Sequence, residues 1–478
     1  MSFQPSVSKI LYTQESTNTP VLHEKLCKLR LRNSIIYLMP DIPLWFTTDD
    51  YGEIIIDCIL SQDLPDMDIL RKLLHETSHI SWSHANKALV RIRRKLSWLL
   101  SQDVLSFDER QINCMVLELT NRCNFRCKHC FASRDKEEAN ELPLDVVVRV
   151  VHEANELNVL NVALTGGEPL LRKDLFEILE AINDEGMSTL LLTNGSLVTE
   201  KIAKKLSKYD KLRIQVSLEG SRPEINDVIR GGGTFELALR GINNLMREGL
   251  PVFLSCTILR PNLDDYADFI HLASDLGVQR IRLGVPTRAG RLLLHPELVP
   301  NDEELVNYYV AVRNFIKNSA KHIRIGELES YVNRIAGMFK FSRCAGDKSF
   351  HISSKGVVSP CTNLIDSVFD EDDESIYRHS LFDIYKNARV FNFFRQIVVD
   401  EIRRCRNCPL KYICGGGCRG LAYQVYQDIL SPDPNCTLHK ELLVRLMAEV
   451  INYPNSPRNL AFSLEGGPDY ASRKYSYH

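Results

Sequence analysis

Ten of the chain's fourteen cysteines fall into two spaced sets, Cys123-x3-Cys127-x2-Cys130 and, far downstream, Cys344, Cys361, Cys405, Cys408, Cys414, Cys418 and Cys436. Gaps of two and three residues suit ligands of shared metal, and in a reducing compartment such thiols are not held as disulfides. The N-terminus, MSFQPSVSKILYTQ, has no basic stretch followed by an apolar one. No later segment approaches the ~20 apolar residues a membrane span needs. The sequence therefore points to a cytoplasmic protein with three metal clusters and no membrane partner. Cys27, Cys58, Cys114 and Cys256 lie in apolar runs and read as small buried hydrophobes.

With 478 residues the chain has room for two to four domains. Its net charge of -2 provides no global field toward nucleic acid or anionic lipid. Within an N-terminal unit over residues 1–105, residues 25–105 begin with LRLRN, IIYLM and PLWFT, which read as strands. Helical stretches follow around Ile54–Leu60 and Ile69–Leu74, and in a third Ala85, Leu89, Ile92, Leu96 and Leu99 recur at spacings of three and four. This is a winged-helix-like pattern.

From Cys114 strand and helix alternate: CMVLELT, helix 143–156; NVALT, helix 172–185; STLLLT, helix 199–208; RIQVSL, helix 234–248; VFLSCTI, helix 263–276; RIRLGV. Six such units predict a parallel sheet closing as a partial (β/α)6 barrel over residues 106–300, with ligands at the carboxyl ends of its strands. Residues 301–343 read as a helical connector. Residues 344–452 read as a small domain folded around metal, ending in a helix at about 437–452. Residues 453–478 read as a flexible tail.

Cys123, Cys127 and Cys130 follow the first barrel strand. Three thiolates fill three corners of a [4Fe-4S] cube, because full ligation takes four; zinc also accepts thiolates. Downstream come Thr165-Gly166-Gly167-Glu168-Pro169 after the second strand, Thr193-Asn194-Gly195 after the third, Ser217-Leu218-Glu219-Gly220 after the fourth, and then Asn226–Gly231. In these motifs the chain resembles the radical S-adenosylmethionine (SAM) enzymes.

The resemblance implies that SAM chelates the open iron and is cleaved to a 5'-deoxyadenosyl radical. It implies that Gly166 and Gly167 admit the ligand closely, that Glu168 and nearby carbonyls hold its ammonium, and that Pro169 is a cofactor contact in the same segment. Thr193 and Asn194 are implied as cofactor contacts, Ser217 as a contact of the methionyl carboxylate or ribose, and His129 as a contact of adenine. Glu219 stands where relatives commonly carry Asp. Arg230 either pairs a carboxylate or is a surface arginine.

The seven downstream cysteines resemble the SPASM extension of peptide-modifying radical SAM enzymes. That resemblance implies two auxiliary [4Fe-4S] clusters, one on Cys405, Cys408, Cys414 and Cys436, the other on Cys344, Cys361 and Cys418. The latter is one ligand short. A substrate cysteine, a carboxylate or His351 could complete it.

Residues 25–105 resemble the leader-binding unit fused to enzymes that modify ribosomally made peptides. An exposed edge strand there could accept a leader by strand addition, and Lys87, Arg91, Arg93, Arg94 and Lys95 on the third helix could attract an acidic one. Solvated surface and DNA binding are the other readings of that basic helix. The expected substrate is thus a precursor peptide with leader, and the expected electron donor is of flavodoxin or ferredoxin type. Thioether crosslinking at a peptide cysteine is the first expectation. Carbon–carbon or carbon–oxygen crosslinking, or maturation of a protein partner of sulfatase or quinohemoprotein dehydrogenase type, is the alternative.

Overall fold

Along the central strands side chains alternate between two environments, and that alternation sets where a ligand can go. The computed structural model describes residues 27–31, 34–39, 44–61, 66–76, 81–100, 105–106, 114–134, 141–336, 339–344, 348–364 and 373–452; the tail expected after Asn455 lies outside them. Its strands are β1 (Cys27–Leu31), β2 (Ser34–Met39), β3 (Leu44–Thr48), β4 (Leu105–Ser106), β5 (Cys114–Glu118), β6 (Asn161–Thr165), β7 (Ser188–Thr193), β8 (Leu212–Ser217), β9 (Val252–Thr257), β10 (Arg280–Gly284), β11 (Arg324–Ile325), β12 (Phe339–Lys340), β13 (Ser349–Ile352) and β14 (Val358–Ser359).

Strands β5 to β10 are the six expected from sequence, each followed by its helix except the last, and all pair in parallel. The sheet is larger than expected, with nine strands in the order β11-β10-β9-β8-β7-β6-β5-β13-β14. At one edge β11, inside the expected helical connector, pairs in parallel with β10. At the other, β13 from the expected metal domain pairs in parallel with β5, Ser349 opposite Cys114 and Ile352 opposite Leu117. A four-residue strand flanked by turns carries too little periodicity to be read alone. β4 and β12 form a separate parallel pair.

On the helix side Met115, Leu117, Val162, Leu164, Leu191, Ile214, Val216, Leu254, Ile281 and Leu283 are buried in one core with the covering helices. On the concave side Cys114, Val116, Asn161, Thr165, Leu190, Leu192, Arg213, Ser217, Phe253 and Thr257 are half-buried, while Glu118, Ala163, Gln215 and Ser255 on the same face are buried. A closed (β/α)8 barrel fills its interior with side chains. This partial one keeps an open trough.

The N-terminal strands form an antiparallel sheet in the order β1-β2-β3. Helices Asp50–Ser61, Asp66–Glu76 and Trp82–Leu100 follow, where sequence periodicity placed them. β2 is buried along its whole length because both faces are covered. Ile35, Tyr37 and Met39 pack with the unit's own helices, while Ile36, Leu38 and Trp45 belong to the main core. The Trp45 indole donates to the Ile335 carbonyl at 3.0 Å. Trp45→Phe should cost about 1 kcal/mol for that bond. Trp45→Ala should cost ~3–5 kcal/mol for the emptied contact. Urea unfolding of the two variants checks the difference.

Candidate active site and cluster-binding thiols

Where β5 ends, its ladder with β6 continues into the loops. Leu119 N–H donates to the Thr165 carbonyl (2.9 Å), Gly167 N–H to Thr120 (2.7 Å) and Glu168 N–H to Arg122 (2.8 Å). The approach is too close for side chains. A Cβ on Gly167 would lie 1.9 Å from the Arg122 oxygen, and one on Gly166, whose φ is +144°, 2.3 Å from that of Thr120. These glycines, expected to admit a ligand, admit the backbone of the cysteine loop and so fix where Cys123 begins.

Cys127 is buried, Cys123 and Cys130 half-buried. Burial, and then the charges of Glu168, Cys127 and Cys130, push the Cys123 thiol up to about 11. Burial also raises Cys127, against the pull of Arg230. Cys127 and Cys130 both act on Cys123, and Cys130 on Cys127. On the loop's other flank Arg291 donates from its backbone N–H to the Cys130 carbonyl and from its side chain to the carbonyls of Cys127 and Arg134, all at 3.0 Å. Nothing in the sequence distinguishes Arg291 from other arginines.

Glu168 is fully buried. Its carboxylate accepts from Thr193 Oγ1 (2.7 Å), the Asn194 N–H (2.8 Å) and the Leu170 N–H (3.2 Å). Burial raises its pKa against those bonds. The GGEP and TNG motifs are thereby one object, with Glu168 spending these acceptor contacts on the neighbouring loops. Asn194 extends the chain of bonds to Asn124 (2.9 Å) inside the cysteine loop.

Glu219 and Arg230 also meet. Arg230, read as either a carboxylate partner or a surface group, is buried and donates from Nε (3.2 Å) and an Nη (2.7 Å) to Glu219 Oε1, its other Nη lying 3.9 Å from Cys127 Sγ. His129 Nε2 is 3.2 Å from the same oxygen, and its Nδ1 is buried with no partner. Thr257 N–H donates to Glu219 Oε2 at 2.5 Å, and Asn226 and Asn262 hold the Glu219 backbone. Burial opposes ionisation of Glu219, but His129 and Arg230 outweigh it and bring its pKa down to about 2. Ser217 ends β8 on the concave face, half-buried; Pro169 is buried and opens the short turn after Glu168.

The downstream thiols divide into two groups by which of them reach one another. Cys361 is raised by burial and then by Cys418 and Cys344. Cys414 is pushed up to about 12 by burial, with Cys408, Cys405 and Cys436 adding to it, and Cys405 to about 11 by burial, Cys408 and Cys436. Gly415, Gly416 and Gly417 all have left-handed φ, between 71° and 81°, and a Cβ on Gly417 would meet Asp433. Asp433 in turn accepts from the Cys418 N–H and lies 3.4 Å from His439, which bonds Tyr331 at 2.5 Å. Beside Cys418 the fully buried Arg419 guanidinium donates to the carbonyls of Ile429 and Ser431 and lowers the neighbouring Cys405. His351, weighed as a fourth ligand, sits on β13 opposite Val116. Burial and then the Arg134 charge hold its imidazole down at about 3. Among the described residues every cysteine whose thiol is placed is unpaired, and no three His, Cys, Asp or Glu side chains draw together around a single metal ion. Of the other cysteines expected to be buried, Cys256 is, whereas Cys27 and Cys114 are half-buried. No described helix is long and apolar enough to cross a membrane.

A strand-end loop carrying three mutually sensed thiols, braced by GGEP, TNG and a buried Glu–Arg pair, defines a cluster-dependent enzyme site. The family described as the radical SAM superfamily matches residues 117–273. The chain is 31% identical over 337 residues to the AdoMet-dependent heme synthase of Methanosarcina barkeri, covering 67% of this chain and 94% of that protein. It belongs to the radical SAM superfamily, whose members hold SAM on a [4Fe-4S] cluster. It is also 27% identical over 337 residues to mycofactocin maturase MftC of Mycolicibacterium smegmatis, covering 68% and 82%. In fold it is similar to SuiB of Streptococcus suis bound to S-adenosylmethionine (TM-score 0.57, 16% identity, 84% of this chain and 96% of that one). It is likewise similar to anSMEcpe with bound AdoMet (TM-score 0.59, 18% identity, 72% and 99%). The thiol triad fits the cluster in its donor set: three soft thiols on one loop, each within electrostatic reach of another, would release protons on binding it.

Gly167→Ala should displace the Arg122–Cys123 segment, and iron analysis after anaerobic reconstitution should show the loss of about one cluster. The depressed Glu219 pKa gives stability that is fully present above the unfolded value of about 4.3 and is lost as pH falls toward 2. Metal-free protein should lose up to about 3 kcal/mol over that window, and Glu219→Gln should remove this part of the acid sensitivity, measured by denaturant unfolding at a series of pH values.

Proposed function

We propose that this chain is a radical SAM peptide maturase that oxidatively modifies a ribosomally made precursor peptide, with thioether formation at a peptide cysteine as the first reaction and carbon–carbon or carbon–oxygen crosslinking as the second. Cys123, Cys127 and Cys130 would hold the cluster at which SAM binds, and the bound pair would supply hydrogen-abstracting radical chemistry. Ser217 and Thr193-Asn194 are assigned to hold SAM at the strand ends, and the Glu219–Arg230 pair positions His129 for adenine. The observation that carries the reading is the trough below these residues: a concave face reachable from solvent can admit a peptide side chain to the site, while the helices seal the other face.

The two downstream thiol groups are assigned to auxiliary [4Fe-4S] clusters that accept the electron left by oxidation. Cys344, Cys361 and Cys418 would hold the second of these, and a substrate thiolate would complete its ligand set. Arg419 offsets part of the negative charge of so many thiolates. The N-terminal unit is assigned to leader binding by strand addition to an edge of the β1-β2-β3 sheet. Arg91 and Lys95 of its last helix are half-buried and so serve less as a solvated face than sequence suggested. The relatives support a peptide substrate: MftC is named a maturase, and the SuiB fold has been seen bound to precursor peptide SuiA. An external flavodoxin or ferredoxin would supply the first electron.

The 31% identity to a heme synthase favours one second reading, a porphyrin substrate in the same trough. A single assay separates them. Anaerobic enzyme with a low-potential reductant is given the short peptide encoded beside its gene, or iron-coproporphyrin, and consumption of each is followed with 5'-deoxyadenosine. Peptide turnover that is competed by a leader-only fragment is the expected result; porphyrin turnover alone would reverse the assignment. Alanines at Cys123, Cys127 and Cys130 should abolish 5'-deoxyadenosine. Adding the cysteine-containing peptide should alter the spectrum of an auxiliary cluster, and an unaltered spectrum would reject thiolate ligation.

A further inference from the structure

The trough is not uniform. Its floor is apolar where Val116, Ala163 and Leu190 lie side by side across β5, β6 and β7, and the next residue in that register, on β8, is Arg213. Its neighbours on β8, Leu212 and Ile214, are buried on the helix side, so Arg213 stands on the concave face. It is half-buried. Among the described residues it donates to a neutral group, Asn161 Oδ1 at 3.3 Å, and no carboxylate pairs with it. By contrast Arg280 and Arg282, on β10 beside the edge strand β11, lie 3.7 Å from Glu329 and 3.5 Å from Glu327. The Arg213 charge also reaches the half-buried Cys114 thiol at the start of β5. A guanidinium partly removed from water and lacking a counter-ion is costly unless an anion joins it. Guanidinium geometry matches a carboxylate best.

Arg213 stands four residues before Ser217 on the same strand, which is about 13 Å at ~3.3 Å per residue. Between them Gln215 continues the same face. A substrate lying along β8 would therefore have its reacting carbon near the strand end while a group about 10–13 Å behind it met the guanidinium.

We propose that Arg213, with Asn161, is the anchor for a substrate carboxylate in the trough, so that the modified peptide carries an acidic side chain or a free C-terminus one trough-length from the attacked residue. The site rests on the trough and extends the peptide reading, though its chemistry is that of any carboxylate. Two arms test it on the full-length, cluster-loaded protein.

The first arm needs no substrate. Cys114 is alkylated with iodoacetate, an anion, or with neutral iodoacetamide, and the site is quantified by mass spectrometry. The ratio of the two rates cancels the thiol's own reactivity. Arg213→Gln should lower that ratio about tenfold and Arg213→Lys should restore part of it. A ratio unchanged in Arg213→Gln overturns the anion site.

The second arm uses the peptide encoded beside the gene. Each carboxylate in it is replaced in turn by a carboxamide, and KM is measured with wild type and Arg213→Gln. One replacement should raise KM about tenfold in wild type and add nothing in the variant, the signature of a shared pair. Additive losses at every position overturn the anchor. Should wild type turn over no peptide, the peptide reading fails by itself, and the alkylation ratio still decides whether Arg213 attracts a carboxylate.

Discussion

The site depends on a contact in which there is no side chain at all. Gly167 lies against the Arg122 carbonyl so tightly that even a methyl group would overlap it. That contact locks the loop after β6 onto the loop after β5, and the thiol triad begins at the next residue. The buried Glu168 carboxylate then locks the third strand's loop to the second, and Glu219 with Arg230 locks the fourth strand's loop to Cys127. Each motif after the cysteines is tied to the loop before it or to the cysteines themselves. Several of its polar groups are therefore already committed within the chain, which makes the loops a preformed frame. A frame of this kind limits the reorganisation that binding would otherwise require.

Much of this was legible in the sequence. Parallel β/α units announce themselves because a strand buried against helices must be apolar at every second position and its helix at every third or fourth; β5 to β10 and their helices are where that pattern puts them. The three N-terminal strands and helices follow from the same periodicity. Three things were not legible. β11 and β13 are too short to show a period, and their strand character comes from the edges that they cover. The partner of Arg230 could not be known from sequence, because Glu219 and Arg230 meet only once β8 and the helix Pro223–Arg230 have folded back on each other. Arg291 acts through main-chain carbonyls, which have no residue type to betray them.

The two glycines also serve a contact within the chain, for a reason that is general. A sequence shows that glycine permits close approach; it does not show what approaches. Here it is the chain itself. The open trough is similarly invisible, because alternation along a strand says which residues face away from the helices and not whether a closing strand will cover them.

The pairing of β13 with β5 has a consequence for how the molecule is made. β5 is an early strand of the sheet, yet its outer edge is covered only by residues 349–352. A growing chain must therefore carry a bare apolar strand edge through the synthesis of the whole barrel, the kind of edge that invites pairing with other chains. Parallel contacts so distant in sequence also form slowly. The cofactor-binding loop springs from that same unfinished strand, so the nascent enzyme passes through a long interval in which it is both most exposed to aggregation and most open to the machinery that loads its iron and sulfur.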